Sequence, residues 1–281
     1  MGIILFKRWK ATTTVFMLCL GISACTNMFF YPIKEHLATP EQYGIEYENV
    51  VLNSTANISI HGWWFPAKLD KDQLVKANII FLHGNAENIS THSGLVYWLT
   101  QYQYNVFIFD YRGYGKSTGE IELQGMIKDI NSARDYVSSR NHQNHKTFLM
   151  GHSLGASLAI VNVAQQADGV DGIIMVSPFS DYQQIAQQAM SKSWLTWLFQ
   201  WLPYFTVNAD YNPIDYVSDL PEIPKLFMYS ENDEIISPAH IQALYGKSSK
   251  EKYLEVLTGQ HNNVFAYPEN QRILLEHLDK W

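Results

Sequence analysis

The sequence predicts an α/β fold: a mostly parallel sheet of eight strands covered by helices on both faces. Three observations carry that prediction. Short apolar runs alternate with helical patterns along most of the chain. The run Lys146–Met150 leads through Gly151-His152-Ser153-Leu154-Gly155 into a helical pattern, which is the strand, turn, helix context of a nucleophile elbow. An acidic residue and a histidine then follow the last two strands, in the loops where α/β sheets place their sites.

The elements follow in chain order. Residues 1–24 read as a leader, with Lys7, Arg8 and Lys10 ahead of an apolar stretch, Ala11 to Gly21, too short for a typical spanning helix. It ends in Ile22-Ser23-Ala24-Cys25, which resembles the bacterial lipobox. That resemblance implies a lipoprotein signal peptide, lipid on Cys25, and anchoring of the mature chain at the cell envelope. Thr26 in place of Asp implies the outer membrane, at its periplasmic face. An uncleaved anchor and an ordinary signal peptide are the alternatives. Residues 25–48 read as a linker or lead-in, and residues 49–281 as one domain.

The expected strands are Asn49–Asn53, Ile58–Phe65, Asn78–Leu82, Asn105–Asp110, Thr147–Met150, Gly172–Val176, Lys225–Tyr229 and Tyr253–Leu257. The first two have no helix between them and are expected to form an antiparallel edge. Helices are expected over Ser93–Tyr102, Ile121–Ser139, Ser153–Gln166, Pro238–Tyr245 and Val264–Leu278. Between Ser177 and Pro224 the chain is longer than a crossover helix requires. There Trp194, Trp197, Leu198 and Trp201 recur at helical spacing. The stripe fits a helix packed on the core, a cover for an apolar pocket, or a contact with the bilayer.

The chemistry of the elbow sets what else the chain must carry. Glycines flank Ser153 because a Cβ at either position would clash in so sharp a turn. A serine hydroxyl needs a base, and the base needs a carboxylate to hold its tautomer. In this chain order the acid comes next and the histidine last. Asp233 is the candidate acid, with Glu231 and Glu234 beside it as competitors, and His261 is the candidate base. Two N–H donors must receive the oxyanion, and Leu154, directly after the serine, and Asn85, in the loop after Asn78–Leu82, are the candidates. His83 comes too early in the chain to be the base and reads as structural.

With these residues in place the sequence resembles the α/β-hydrolase superfamily. Within it, the chain looks most like the membrane-associated, serine-aminopeptidase-like branch that includes depalmitoylase-like members. The matching stretches are Leu82-His83-Gly84-Asn85-Ala86, Phe109 through Ser117, Gly151 through Gly155, Ser177-Pro178-Phe179, Asp233, and Gly259-Gln260-His261-Asn262. The resemblance implies a serine hydrolase with a structural role for Arg112-Gly113-Tyr114-Gly115. It also implies a cap or lid over residues 178–220, in which Trp194, Trp197 and Trp201 would line an acyl pocket.

Composition bounds the function. Apolar residues make up 47% of the chain, ample for one large core. The net charge is −7, and loss of the leader's basic residues takes it to about −10, so there is no nucleic-acid footprint. Of the two cysteines, Cys19 lies in the leader and Cys25 is the lipidation candidate, so no disulfide is expected. The expected substrate is a small acyl ester, a thioester or a lipid, with no metal or organic cofactor. A serine exopeptidase, with Glu87 as anchor for a substrate amino terminus, is the enzymatic alternative. A catalytically idle envelope lipoprotein that binds a lipid or partner is the other.

Overall fold

A computed structural model of the chain describes residues 30–192 and 194–281. The leader and Cys25 lie outside the described residues. The chain divides into two compact units. The larger holds Tyr31–Asp181 and Tyr211–Trp281, and the smaller includes Tyr182–Asp210.

The larger unit contains the strands β1 (Tyr31–Pro32), β2 (Glu48–Thr55), β3 (Ile58–Phe65), β4 (Ala77–Leu82), β5 (Ala86–Glu87), β6 (Tyr104–Phe109), β7 (Lys146–His152), β8 (Gly172–Val176), β9 (Lys225–Ser230) and β10 (Lys252–Leu257). Eight of them form one sheet in the order β10-β9-β8-β7-β4-β6-β3-β2. The β2/β3 and β3/β6 pairs are antiparallel and the rest are parallel. This is the α/β-hydrolase fold, with the expected antiparallel edge. The central strands β4, β8 and β9 are buried along their whole length, as a sheet covered on both faces requires. The edge strand β10 has only Leu257 buried. Register aligns the C-terminal ends: Leu82 faces Gly151, His152 faces Val176, and Leu257 faces Ser230.

Helix α1 (Ile89–His92) is a single turn, and α2 (Leu123–Arg140) and α3 (Leu154–Gln165) are the long crossover helices. α3 is almost wholly buried, and its small residues Gly155, Ala156 and Ala159 let it lie close to the sheet. Among the described residues, no helix is long and apolar enough to cross a membrane.

Two expected helices differ from the structure. Ser93–Tyr102 is a pair of 3₁₀ segments, Ser93–Leu95 and Tyr97–Tyr102. Val96, at φ −136°, interrupts the turn between them. The backbone N–H groups of Val96, Leu99 and Gln103 bond to carbonyls three residues back, at 3.1, 3.0 and 3.3 Å, the tighter 3₁₀ spacing. Val264–Leu278 splits at Tyr267, because the residue before Pro268 is pushed out of the helical region.

The smaller unit is built around α4 (Tyr182–Ser191). The rest of the segment folds back on it: Gln183 Nε2 donates to Val207 O at 3.1 Å, and the Thr196 hydroxyl donates to Met190 O at 2.7 Å. α5 (Pro203–Thr206) follows. The tryptophan stripe is not a long helix: only Trp197–Phe199 is 3₁₀. Trp194, Trp197 and Trp201 are 87%, 58% and 56% exposed, so the core-packed alternative is overturned. Pro203 and the turns ahead of it break the helical repeat that the spacing suggested.

In the larger unit, α6 (Pro213–Tyr216), α7 (Pro238–Lys247) and α8 (Pro268–Leu278) complete the helices. The Arg112 side chain, read as structural, makes a two-point bond to Asp129 of α2 at 3.0 and 2.8 Å, with both side chains buried. Asp129→Ala leaves that guanidinium buried and unpaired. It should cost about 3–5 kcal/mol, read as a fall in the urea midpoint. A loss below about 1 kcal/mol would mean that water reaches and satisfies Arg112.

Candidate active site

The site forms where the strands end. Ser153 sits between β7 and α3 with φ 54° and ψ −117°, a strained conformation for a residue with a side chain. Its N–H donates to Val176 O at 2.8 Å, which ties the turn to β8. A Cβ on Gly155 would lie 2.0 Å from the carbonyl oxygen of Leu82, and one on Gly151 would lie 2.4 Å from Ala156 N. Only glycine lets α3 approach the end of β4 this closely. Leu154 opens α3, so its N–H has no partner within the helix, and the helix dipole adds positive potential there.

Asp233 and His261 meet across two loops. Asp233 Oδ2 lies 2.7 Å from His261 Nδ1, and Oδ1 accepts the N–H groups of Ile235 and Ile236 at 2.9 and 2.8 Å. Burial pushes the Asp233 carboxyl up, but the bonds from His261 and Ile236 outweigh it and hold it below the usual carboxylate range. A carboxylate accepts, so Nδ1 carries the proton and Nε2 keeps its lone pair. Of the competitors, Glu234 uses Oε2 to accept the main-chain N–H of His261 at 3.1 Å. Glu231 is exposed.

His152 closes the cluster. Its Nε2–H donates to His261 O at 2.9 Å, and the two rings lie 4.6 Å apart. Burial, reinforced by His261 and His92, drives the His152 imidazole well below its ordinary value, so it stays neutral. His83 is pushed down to about 3 by burial and by His92. Its Nδ1–H donates to Gly84 O at 2.8 Å.

The loop after β4 lies against the elbow: a Cβ on Gly84 would be 3.7 Å from that of Ser153. The Tyr114 hydroxyl donates to Asn85 O at 2.8 Å, and Tyr31 N donates to the same oxygen at 3.5 Å. The structure thus gathers Ser153, Leu154, Asn85, Asp233 and His261 at the C-terminal ends of the larger unit's parallel strands. Trp194, Trp197 and Trp201 belong to the smaller unit, and Cys25 lies outside the described residues.

The family model for serine aminopeptidase, S33, matches residues 73–223. The chain belongs to this hydrolase family. Its relatives include the protein YfhR of Escherichia coli K12, 30% identical over 244 residues that cover 85% of this chain and 81% of that one. Mouse lysophosphatidylserine lipase ABHD12 is 26% identical over 309 residues, covering 94% of this chain and 75% of its own. Among solved structures, the Pyrococcus furiosus esterase Pf2001 superposes with a TM-score of 0.71 at 20% identity, over 90% of this chain and 98% of the other, a likeness of fold.

Sequence reasoning left His152 without a role, counted Glu234 only as a rival acid, assigned nothing to Tyr31, and gave Tyr114 a structural role without its bond to Asn85 O. For His152 a signal existed, since it lies inside the elbow motif. The elbow geometry gives a paired test. Gly155→Ala drives a methyl into the Leu82 carbonyl and should abolish soluble folded protein. Gly246→Ala, in α7 with no atom within 4 Å of the added Cβ, should be neutral or stabilise by up to about 1 kcal/mol in a thermal melt. Folded, wild-type-like Gly155→Ala protein would contradict the close approach.

Proposed function

We propose that this hydrolase cleaves carboxylic esters or thioesters through an acyl-enzyme on Ser153. The observation that carries the reading is the buried Asp233–His261 pair beside a strained serine elbow. Ser153 Oγ attacks the acyl carbonyl carbon while His261 Nε2 takes its proton. The N–H groups of Asn85 and Leu154 receive the oxyanion. The tetrahedral adduct collapses, the bond to the leaving alcohol or thiol breaks, and His261 returns the proton to it. Water then attacks the acyl-enzyme by the same route and releases the acid. Asp233 keeps the imidazole in the Nδ1–H form throughout.

An ester or lipid substrate agrees with one relative, a lysophosphatidylserine lipase, and with a protein of like fold that is an esterase. A fluorophosphonate probe should label Ser153, and p-nitrophenyl esters should turn over faster than aminoacyl anilides. Ser153→Ala should lose on the order of a millionfold in kcat, about 8 kcal/mol of barrier. Retention of a tenth of the activity would remove Ser153 from the role, and a preference for anilides would favour a peptidase.

The pH profile is a separate test. Burial holds His83 and His152 neutral near neutral pH, and Asp233 is held ionised there, so none of these three adds an ionisation to the profile, while the mechanism requires a neutral base. kcat/KM should therefore rise with pH on a single ionisation. A slope showing two protons lost together would bring a second imidazole into the chemistry.

The proposed location is the bacterial envelope, with the domain held by lipid on Cys25. The support is the Ile22-Ser23-Ala24-Cys25 tetrad and the basic, apolar leader ahead of it. Cys25→Ser should abolish fatty-acid labelling and lipoprotein-type cleavage without loss of esterase activity. Intact mass showing a mature N-terminus elsewhere would reject the anchor and leave the hydrolase untouched.

A further inference from the structure

A second cluster of titratable groups lies outside the catalytic set. Asp110, directly after β6, is completely buried. Among the described residues its ion-pair partners are two imidazoles: His36 Nε2 of the lead-in at 2.9 Å and His61 Nδ1 of β3 at 3.7 Å, both from Oδ2. Asp110 also accepts the N–H of Ile89 on Oδ1 at 2.9 Å and that of Lys116 on Oδ2 at 3.3 Å.

The hydrogen bonds behind His61 fix its tautomer. Asn49 Nδ2 donates to the Tyr47 hydroxyl at 3.2 Å, which turns Asn49 Oδ1 toward His61 Nε2, 3.1 Å away. An amide oxygen only accepts, so Nε2 carries the proton. On the neutral ring, Nδ1 is then a lone pair. That nitrogen is buried without a hydrogen-bond partner, in a residue only 6% exposed, and it faces the carboxylate oxygen of Asp110. Two buried acceptors facing each other require a positive centre between them.

We propose that His36 Nε2, His61 Nδ1 and Asp110 Oδ2 form a site for a divalent cation of the zinc class. The three atoms lie within 4.8 Å of one another. Metal–ligand bonds of about 2.0–2.1 Å at tetrahedral angles set ligand atoms about 3.3 Å apart. The observed separations of 2.9 and 3.7 Å fall on either side of that value. Two imidazoles and one carboxylate form a donor set that suits zinc better than calcium or magnesium. Asn49 supplies the outer hydrogen bond that orients a ligating histidine. Binding moves the His36 proton from Nε2 to Nδ1 and leaves His61 as it stands.

The site joins the lead-in to β3 and to the end of β6. The same lead-in bonds the loop that carries Asn85, through Tyr31 N to Asn85 O and Ile33 N to Glu87 O. Metal would therefore fasten that loop from behind, without touching the reacting atoms.

The test uses the full chain, stripped with a chelator and dialysed against Zn2+. The wild type should retain one zinc per chain by elemental analysis, and its unfolding temperature should rise with zinc. His36→Gln keeps an amide donor for Asp110 but removes the imidazole. It should fold, melt as the wild type does in chelator, and bind zinc more than about tenfold more weakly. His61→Gln should lose zinc in the same way. Equal zinc binding by the wild type and the His36→Gln protein would assign the metal to surface groups and overturn the site. No retained zinc in the wild type would overturn it too and leave a proton on His61 Nδ1 as the positive centre.

Discussion

The close approach of α3 to the end of β4 is the constraint on which the candidate site depends. Gly155 rests against the carbonyl of Leu82, and no side chain fits between them. That contact sets the angle at which α3 leaves β7, and so it holds Ser153 in its strained conformation. It also brings the first N–H groups of the helix beside the loop that starts at His83. The candidate nucleophile and the candidate oxyanion donors are therefore placed by one packing contact, and the cost of the serine's backbone is met by burial of nearly all of α3.

The histidine is placed by different means. β9 and β10 lie side by side, with Leu257 opposite Ser230, so the loops after them leave the sheet together. The Ser230 hydroxyl bonds Gly259 O and joins the two loops at their base. His261 is then held at three atoms: its N–H by Glu234, its carbonyl by His152, and its Nδ1 by Asp233. The two clamps on the main chain fix where the ring starts, and the carboxylate fixes how it turns. His152 suits its place because burial keeps it neutral: a charged imidazole 4.6 Å from His261 would oppose the imidazolium that the proposed acyl transfer requires.

The sheet was legible in the sequence because buried strands are continuous apolar runs, and β4, β8 and β9 have no polar interruption that alters their reading. Ser153, Asp233 and His261 were legible because each follows such a run. Elements stabilised by side-chain bonds were not. The segment after His92 has helical spacing, yet its backbone bonds at three-residue spacing, in 3₁₀ form, and Trp98 and Thr100 add side-chain bonds of the same reach. The tryptophan stripe has the same spacing, and its side chains are exposed. Periodicity reports which residues could share a face, not whether a helix forms to make one.

The lead-in shows the same limit from the other side. β1 and β5 are two residues each, too short to leave any periodic mark. Asn88 Nδ2 nevertheless donates to Ile33 O and Glu35 O at 2.9 and 2.8 Å, and Gly115 N donates to Ile33 O at 3.0 Å. These polar bonds, with the His36–Asp110 contact, hold residues 31–36 to the loops after β4 and β6. The segment is thus part of the domain and not a passive spacer. It puts a backbone donor on Asn85 O from one side while Tyr114 holds the same oxygen from the other. The peptide group ahead of the elbow is fixed by Tyr114 and Tyr31, 39 and 122 positions away from Ser153 in the chain, far outside the reach of any local motif.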